Sequence, residues 1–221
     1  MFRDRHDAGR RLGRALDRFR GDDPLVLALP RGGAPVGYEV ATTLDAQLDL
    51  VLVRKIGAPG HEELALGAVV DGSHPQLVLN DDVVRLMQPP PGYIEAAEKR
   101  ELAEIERRRR LDLGGAAPVA IEGRVAIVVV DGVATGATMK AALRGVRRNK
   151  PRRLVLAAPV APASSIDQEQ RRSRDRAQDE TAHGVADRDA VSLNLCSGRL
   201  VAFRAASIGR RPIRSRRPSG E

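Results

Sequence analysis

The stretch from Val125 to Met139, VAIVVVDGVATGATM, constrains the fold more than any other part of the chain. Its first half is a continuous run of β-branched and aliphatic residues, which is typical of a strand buried on both faces of a parallel sheet. Its second half, Ala134 to Thr138, is small and hydroxyl-rich and leads into the helical pattern MKAALRGVRR. Backbone N–H groups and the helix dipole favour an anion at such a turn. A phosphate loop is predicted; an ordinary strand–turn–helix without a ligand is the alternative.

Two common phosphate-binding patterns are absent from this stretch. No lysine stands where G-x-x-x-x-G-K-[ST] requires one, and G-x-G-x-x-G does not occur. The stretch resembles instead the phosphoribosyl-pyrophosphate (PRPP) motif of type I phosphoribosyltransferases, in which hydrophobic residues and two adjacent acids precede T-G-x-T. The resemblance implies that the loop binds the 5-phosphate of PRPP through Ala134, Thr135, Gly136, Ala137 and Thr138.

The two acids of that motif fall on Val130 and Asp131, so the first position departs from the family pattern. The resemblance implies that Asp131, followed by Gly132, holds the ribose hydroxyls directly or through Mg²⁺. Valine accepts no hydrogen bond, so we expect weak PRPP binding and tighter, Mg²⁺-dependent binding in Val130→Asp. The alternative is that Val130 extends the buried strand and Asp131 alone suffices. Purine-type relatives place an acid at position 134, which is alanine here, so the general base is unassigned.

A second strand–loop–helix unit precedes the first in the chain. The short apolar run LVLALP is followed by Arg31, Gly32 and Gly33, and then by a helical pattern that runs to Leu44. Glycines let the backbone approach an anion closely, and arginine donates charge-assisted hydrogen bonds. The unit resembles the family's pyrophosphate loop, which implies pyrophosphate contacts from these three residues and a cis non-proline peptide around Arg31-Gly32.

The next segment predicts a strand over Leu48–Val53 that ends in Arg54 and Lys55. A Gly/Pro-rich loop, Gly57–Glu63, would follow it as an active-site lid. The run RKIGAPGHEELALGAV resembles a segment of a bacterial subgroup of the same family. The resemblance implies that Lys55, and less strongly Arg54, binds pyrophosphate oxygens. His61-Glu62 would contact the acceptor or simply face solvent.

Two further segments are predicted to be surface helices. Residues 3–20 place Leu12, Leu16 and Phe19 on one face and arginines on the other, which favours a docking helix over a nucleic-acid contact. Tyr93–Leu111 carries a narrow apolar stripe among charged residues. A solvent-covered helix or a homodimer contact is favoured there over an RNA contact.

Composition limits the classes of protein to which the chain can belong. Its 221 residues, 42% hydrophobic, suit one sizeable core plus appendages. Cys196 is the only cysteine, so no internal disulfide can form and a reducing compartment is favoured. No apolar run approaches the roughly 20 residues of a spanning helix, and no signal-peptide core is present. We therefore expect a cytoplasmic protein without a membrane partner.

The C-terminal quarter differs in composition from the rest of the chain. Residues 166–221 hold twelve arginines against eight acidic residues, which leaves +4 of the total net charge of +8 in this segment. Its apolar content is too low to offset the entropy of ordering. We expect a phosphoribosyltransferase-like domain over residues 1–165 and an atypical Arg-rich extension over 166–221, disordered at least in part, with LNLCSGRLVAF as a candidate hairpin.

The predicted fold is an α/β domain with a mostly parallel sheet flanked by helices, and with its ligand crevice at the carboxyl ends of the strands. The resemblance implies transfer of the phosphoribosyl group of PRPP to an unidentified, nucleobase-like acceptor, with Mg²⁺ as cofactor. Arg31, Lys55 and Asp131 are the expected catalytic residues. A non-catalytic PRPP or nucleotide sensor with an RNA-binding surface is one alternative, and a degraded enzyme that acts only as a structural partner is another.

Overall fold

The computed structural model describes residues 2–132 and 137–160, and the backbone of two short strands at 193–194 and 201–204. The strands are β1 (Pro24–Ala28), β2 (Gln47–Leu50), β3 (Val53–Ala58), β4 (His61–Val70), β5 (Gln76–Leu79), β6 (Val125–Val129), β7 (Arg153–Ala158), β8 (Leu193–Asn194) and β9 (Val201–Arg204). The α-helices are α1 (Arg5–Ala15), α2 (Gly33–Leu44), α3 (Asp81–Met87), α4 (Tyr93–Leu113) and α5 (Ala137–Arg148). The strands form two sheets.

The larger sheet has the strand order β2-β1-β6-β7-β9-β8. Its first four strands pair in parallel, and β9 and β8 add antiparallel pairs at one edge. Every residue of β1 and β6 is buried, as expected for strands covered on both faces. The prediction of an α/β fold with a mostly parallel sheet is confirmed.

Side chains along the central strands point alternately to the two faces of the sheet, so the core has two layers. On one face, Val26 and Ile127 pack with apolar residues of α1 and α2. On the other face, Leu27 and Val128 pack with α5 and with residues of the smaller sheet. The parallel sheet therefore has helices on both faces.

The smaller sheet, β3-β4-β5, is antiparallel, and one of its faces packs against α3 and α4. It corrects two predictions. The strand predicted over Leu48–Val53 is wrong, because β2 ends at Leu50 in the parallel sheet and β3 begins at Val53 in the antiparallel one. The long loop predicted over Gly57–Glu63 is also wrong: β3 continues to Ala58 and β4 begins at His61, so a two-residue turn joins them.

Both predicted surface helices are present. The helix α1 buries Leu12, and the chain just beyond it buries Leu16 and Phe19. The helix α4 buries Ala97, Glu101, Ile105 and Arg109, so its buried stripe contains two charged residues. Within the described part of the chain, no helix is both long enough and apolar enough to cross a bilayer.

The described residues test only part of the predictions made for the C-terminal segment. The candidate hairpin LNLCSGRLVAF contains β8 and β9, which pair in antiparallel fashion. The other residues beyond 160 lie outside the described residues. The boundary at residue 165 and the low order of the extension therefore stay predictions.

Candidate functional site

The loops that follow β1 and β6 touch at the carboxyl edge of the parallel sheet. The chain leaves β1 through α2 toward β2 on one side, and leaves β6 through α5 toward β7 on the other. Such a reversal opens a crevice where open α/β sheets bind ligands. A Cβ added at Gly32 would lie 1.9 Å from Asp131 Oδ2, and one at Gly33 would lie 2.7 Å from the Val129 carbonyl oxygen. Gly32 and Gly33 of one predicted anion loop thus lie directly against Asp131 and the end of β6, from which the other predicted loop continues.

Glycine at position 32 permits this close approach. Any side chain there would displace the Asp131 carboxylate. The cis peptide expected at Arg31-Gly32 lies one bond earlier, between Pro30 and Arg31. The Arg31 side chain is exposed, and it makes no hydrogen bond or ion pair with the described residues. Its guanidinium is therefore available to a ligand.

The carboxylate of Asp131 also contacts Arg5, which the sequence did not single out. Arg5 Nη2 donates to Asp131 Oδ2 over 3.0 Å, and Arg5 Nε donates to the same oxygen over 3.3 Å. The side chains are 61% and 41% exposed, respectively. This contact adds a third element, the start of α1, to the edge formed by the two loops.

The position of Arg5 follows from close packing of α1 on α2. A Cβ at Gly9 would lie 2.7 Å from Glu39 Cβ, and one at Gly13 would lie 2.6 Å from Thr43 Cβ, so these glycines let the two helices approach. Asp4 caps α1, because its side chain accepts a 2.7 Å hydrogen bond from the Asp7 N–H. The two glycines, four residues apart, were the available signal of a close helix partner.

The side chain of Val130 faces the core. It is 5% exposed and packs in the same cluster as Leu29 and Val128, while its N–H donates to the Ala157 carbonyl over 3.1 Å. The burial agrees with the alternative that Val130 extends the strand. A carboxylate at this position would enter the apolar layer and would not stand beside Asp131 in the crevice.

Other predicted site residues border a cavity of about 510 Å³ between the antiparallel sheet and α5. Lys55 and Thr138 both line it. Lys55 Nζ lies 3.4 Å from Glu63 Oε2, and Glu63 is fully exposed. Arg54 also borders the cavity, but its Nε donates to Glu101 of α4 over 3.0 Å, so its guanidinium is already engaged.

The remaining predicted substrate-binding residues are described only in part. Gly132 is half-buried, and a Cβ there would lie 3.4 Å from Val160 Cγ2. Ala137 begins α5, and nothing further is described for its side chain. The predicted 5-phosphate contacts of Ala134, Thr135 and Gly136 lie outside the described residues.

The site suits a metal ion that arrives with a ligand. Within residues 2–132 and 137–160, no three His, Cys, Asp or Glu side chains come together as a metal-binding group. Magnesium commonly keeps several waters and binds through one or two carboxylates plus substrate phosphates. The partly exposed carboxylate of Asp131 fits that mode.

A second charged cluster, the Arg109 triad, lies at the junction between the two sheets. Arg109 Nη2 donates to Asp49 Oδ1 over 3.0 Å, and Nη1 donates to Asp71 Oδ2 over 2.6 Å. Backbone N–H groups of Leu50, Val119 and Gly72 donate to the same two carboxylates. Burial raises the pKa of Asp71, while the hydrogen bond from Arg109 acts in the opposite direction. Because its polar groups are satisfied internally, we assign the triad to structure.

Comparison with known proteins identifies the family of the chain. The family described as Phosphoribosyl transferase domain matches residues 6–184. Two curated Mycobacterium tuberculosis proteins, from strains H37Rv and CDC 1551, carry phosphoribosyl transferase as a provisional name, and each is 44% identical to the chain over 162 residues. These matches cover 73% of this chain but 36% of each relative, so the chain spans about a third of their length.

A solved structure is similar over most of its length. The crystal structure of TT1426 from Thermus thermophilus is 43% identical, with a TM-score of 0.63, and the alignment covers 78% of this chain and 81% of that one. The family match extends over more than half of the chain and includes both loops at the carboxyl edge. The chain therefore belongs to the phosphoribosyl transferase domain family.

Proposed function

We propose that this chain binds PRPP across the loops that follow β1 and β6 and transfers its phosphoribosyl group to a small-molecule acceptor. The observation that carries the proposal is the contact between Gly32 and Asp131, because it joins a predicted pyrophosphate loop to a predicted ribose-binding carboxylate at the reversal of strand order. Family membership supports the same assignment.

In the proposed reaction, the acceptor donates an electron pair to C1 of the ribose as the bond from C1 to the pyrophosphate oxygen breaks. Positive charge develops on the sugar, and negative charge develops on the leaving pyrophosphate. In this proposal, Arg31, Lys55 and the backbone N–H groups near Gly32 stabilise that negative charge, and such electrostatic stabilisation is usually the largest contribution to lowering a barrier. A Mg²⁺ ion held by Asp131 and the phosphates would neutralise pyrophosphate further.

Asp131 has a second role in the proposal, as hydrogen-bond acceptor for the ribose hydroxyls. Its Oδ2 faces Arg5 in the structure. Because both side chains are partly exposed, water competes with this pair and ligand hydroxyls can take its place. Arg5 would then remain beside the bound anion as an additional positive charge.

The experiment is calorimetric titration with Mg·PRPP, pyrophosphate and ribose 5-phosphate, followed by a pyrophosphate-release assay with a panel of nucleobases. Arg31→Ala and Lys55→Ala should each weaken pyrophosphate binding by about 1.5–3 kcal/mol, the value of a charge-assisted hydrogen bond. Ribose 5-phosphate binding should change little. The exposed Lys99, changed to alanine, is the matched control. Equal weakening of both ligands in either variant would show that these loops are wrongly assigned.

A second candidate function is a PRPP sensor without turnover. It is favoured by valine at position 130, where the family motif places an acid, and by alanine at position 134, where an acid could assist proton transfer. The same assay separates the two functions, since a sensor binds Mg·PRPP but releases no pyrophosphate with any acceptor. Absence of PRPP binding would favour the degraded-enzyme alternative.

A further inference from the structure

The cavity beside α5 combines an apolar wall with an unbalanced set of positive charges. Its apolar wall consists largely of short side chains, including Val53, Ala65, Ala68 and Val78 of the antiparallel sheet and Ala141 of α5. Short side chains on facing elements leave a hollow between them. The volume of about 510 Å³ falls within the roughly 300–1,000 Å³ of small-molecule sites.

Among the described residues, four basic side chains and no acidic one line this cavity. Arg54 is engaged by Glu101, and Lys55 lies beside the exposed Glu63. Lys140 and Arg144 stand one turn apart on α5, and neither makes an ion pair or hydrogen bond with the described residues. Exposed cations on a helix are commonly just solvated, but these two share a concave apolar surface with Lys55.

Positive charges gathered at one concave surface repel each other, and a bound anion relieves that repulsion. Two further polar groups line the same cavity, the hydroxyl of Thr138 and the amide of Asn80. Both can donate hydrogen bonds to oxygen atoms of an anion. The apolar wall would meanwhile cover the uncharged body of the ligand.

We propose that this cavity binds a small organic anion, a phosphate or carboxylate on an apolar or aromatic body, and that this anion is the acceptor substrate. The acceptor role rests on the proposed function, because Lys55 and Thr138, which line the cavity, are also the residues assigned there to PRPP. The anion binding itself rests only on the shape and charge of the cavity. Lys140 and Arg144 are the residues that select an anion.

The test uses three probes that share one aromatic ring and differ in charge: phenyl phosphate, benzoate and benzyl alcohol. Calorimetry on the full chain should detect binding of the two anions and none of the alcohol. The double variant Lys140→Gln/Arg144→Gln should weaken anion binding by about tenfold or more, since it removes two charge-assisted contacts. Lys99→Gln/Arg110→Gln on α4 removes the same two charges elsewhere and should change affinity by less than about twofold.

A shape variant completes the test. Ala141→Leu keeps every charge but fills part of the hollow, so it should weaken phenyl phosphate binding more than inorganic phosphate binding. Ribose 5-phosphate affinity should be unchanged in Lys140→Gln/Arg144→Gln. Equal binding of benzyl alcohol and phenyl phosphate, or unaltered anion affinity in the double variant, would overturn the proposal. A parallel loss of ribose 5-phosphate binding would also overturn it, because the cavity would then belong to the PRPP site.

The same measurements separate failure of this inference from failure of the proposed function. If Mg·PRPP does not bind while phenyl phosphate binds and depends on Lys140 and Arg144, the proposed function is wrong and the anion site stands. If Mg·PRPP binds and the anions do not, the acceptor site lies elsewhere and only this inference is overturned.

Discussion

Two arginine–aspartate contacts in this chain use the same chemical groups in opposite surroundings. In the Arg109 triad, the side chains of Arg109, Asp49 and Asp71 are 8%, 7% and 3% exposed. At the crevice, Arg5 and Asp131 are 61% and 41% exposed, although their 3.0 Å contact is as short as that between Arg109 and Asp49. Distance alone therefore does not tell which pair supports the fold and which is open to a ligand.

Exposure to solvent distinguishes the Arg109 triad from the Arg5–Asp131 pair. Ions removed from water must be fully paired and hydrogen-bonded, and removing one partner leaves an uncompensated buried charge. An exposed pair exchanges freely with water and contributes little to stability. The buried contact is therefore expected to respond to mutation through unfolding, and the exposed contact through binding.

The largest expected effect follows from Arg109→Met. It leaves Asp49 and Asp71 buried without their cation, so the free energy of unfolding should fall by about 3–5 kcal/mol. Urea unfolding followed by circular dichroism measures this. Arg110→Met, whose side chain is exposed at the next position, should stay within about 0.5 kcal/mol of the unmodified chain. A small loss in Arg109→Met would remove the distinction between the two contacts.

The second-largest effect is expected from Val130→Asp, which places a carboxylate in the core without an arginine to pair with it. Because Val130 packs in the apolar core, we expect a loss of about 3 kcal/mol of stability at neutral pH and no gain in PRPP affinity. Val130→Thr adds a hydroxyl but no charge, so it should lose less stability than Val130→Asp. Tighter, Mg²⁺-dependent PRPP binding in a folded Val130→Asp chain would restore the paired-acid interpretation of the motif.

A smaller effect, confined to binding, is expected from Gly32→Ala. The new methyl group would collide with the Asp131 carboxylate, a terminal group that can move, so stability should change by less than about 1 kcal/mol. Displacing that carboxylate should nevertheless weaken Mg·PRPP binding by about 1.5–3 kcal/mol. Gly21→Ala is the matched control, because an added Cβ there has no neighbour within 4 Å. Equal PRPP affinity in both variants would exclude Asp131 from the site.

The smallest effect is expected from Arg5→Ala. Exposed ion pairs are worth about 0–1 kcal/mol, so stability should hardly change and ribose 5-phosphate affinity should shift by less than about fivefold. That shift should shrink as salt is added, because salt screens exposed charges. Unfolding at a much lower urea concentration would show that the Arg5–Asp131 contact resembles the Arg109 triad after all.

The parts of the fold that could be predicted are those with a local signal. Continuous apolar runs identified β1 and β6, and the residues directly after them supplied both loops of the crevice. The end of β2 could not be placed, because Val51 and Leu52 continue its apolar run into a different sheet. Periodicity shows that a residue is buried, but not against which layer.

Charged residues were harder to place, because their partners are distant in sequence. Arg109 lies within a run of four arginines, and only contacts with Asp49 and Asp71, 60 and 38 residues away, distinguish it. Arg54 and Lys55 look alike in the sequence, but the Arg54 guanidinium is engaged by Glu101 of α4. The approach of Arg5 to Asp131 spans 126 residues and depends on how α1 packs.

The Arg109 guanidinium also has a mechanical consequence. It donates to the Leu50 carbonyl, where the chain leaves the parallel sheet, and to the Ala116 carbonyl, on the segment by which the chain returns. One guanidinium thus binds both segments by which the chain passes between the two sheets. Arg109→Met should therefore loosen both crossings at once, so that the contacts between the two sheets weaken together with the buried carboxylates.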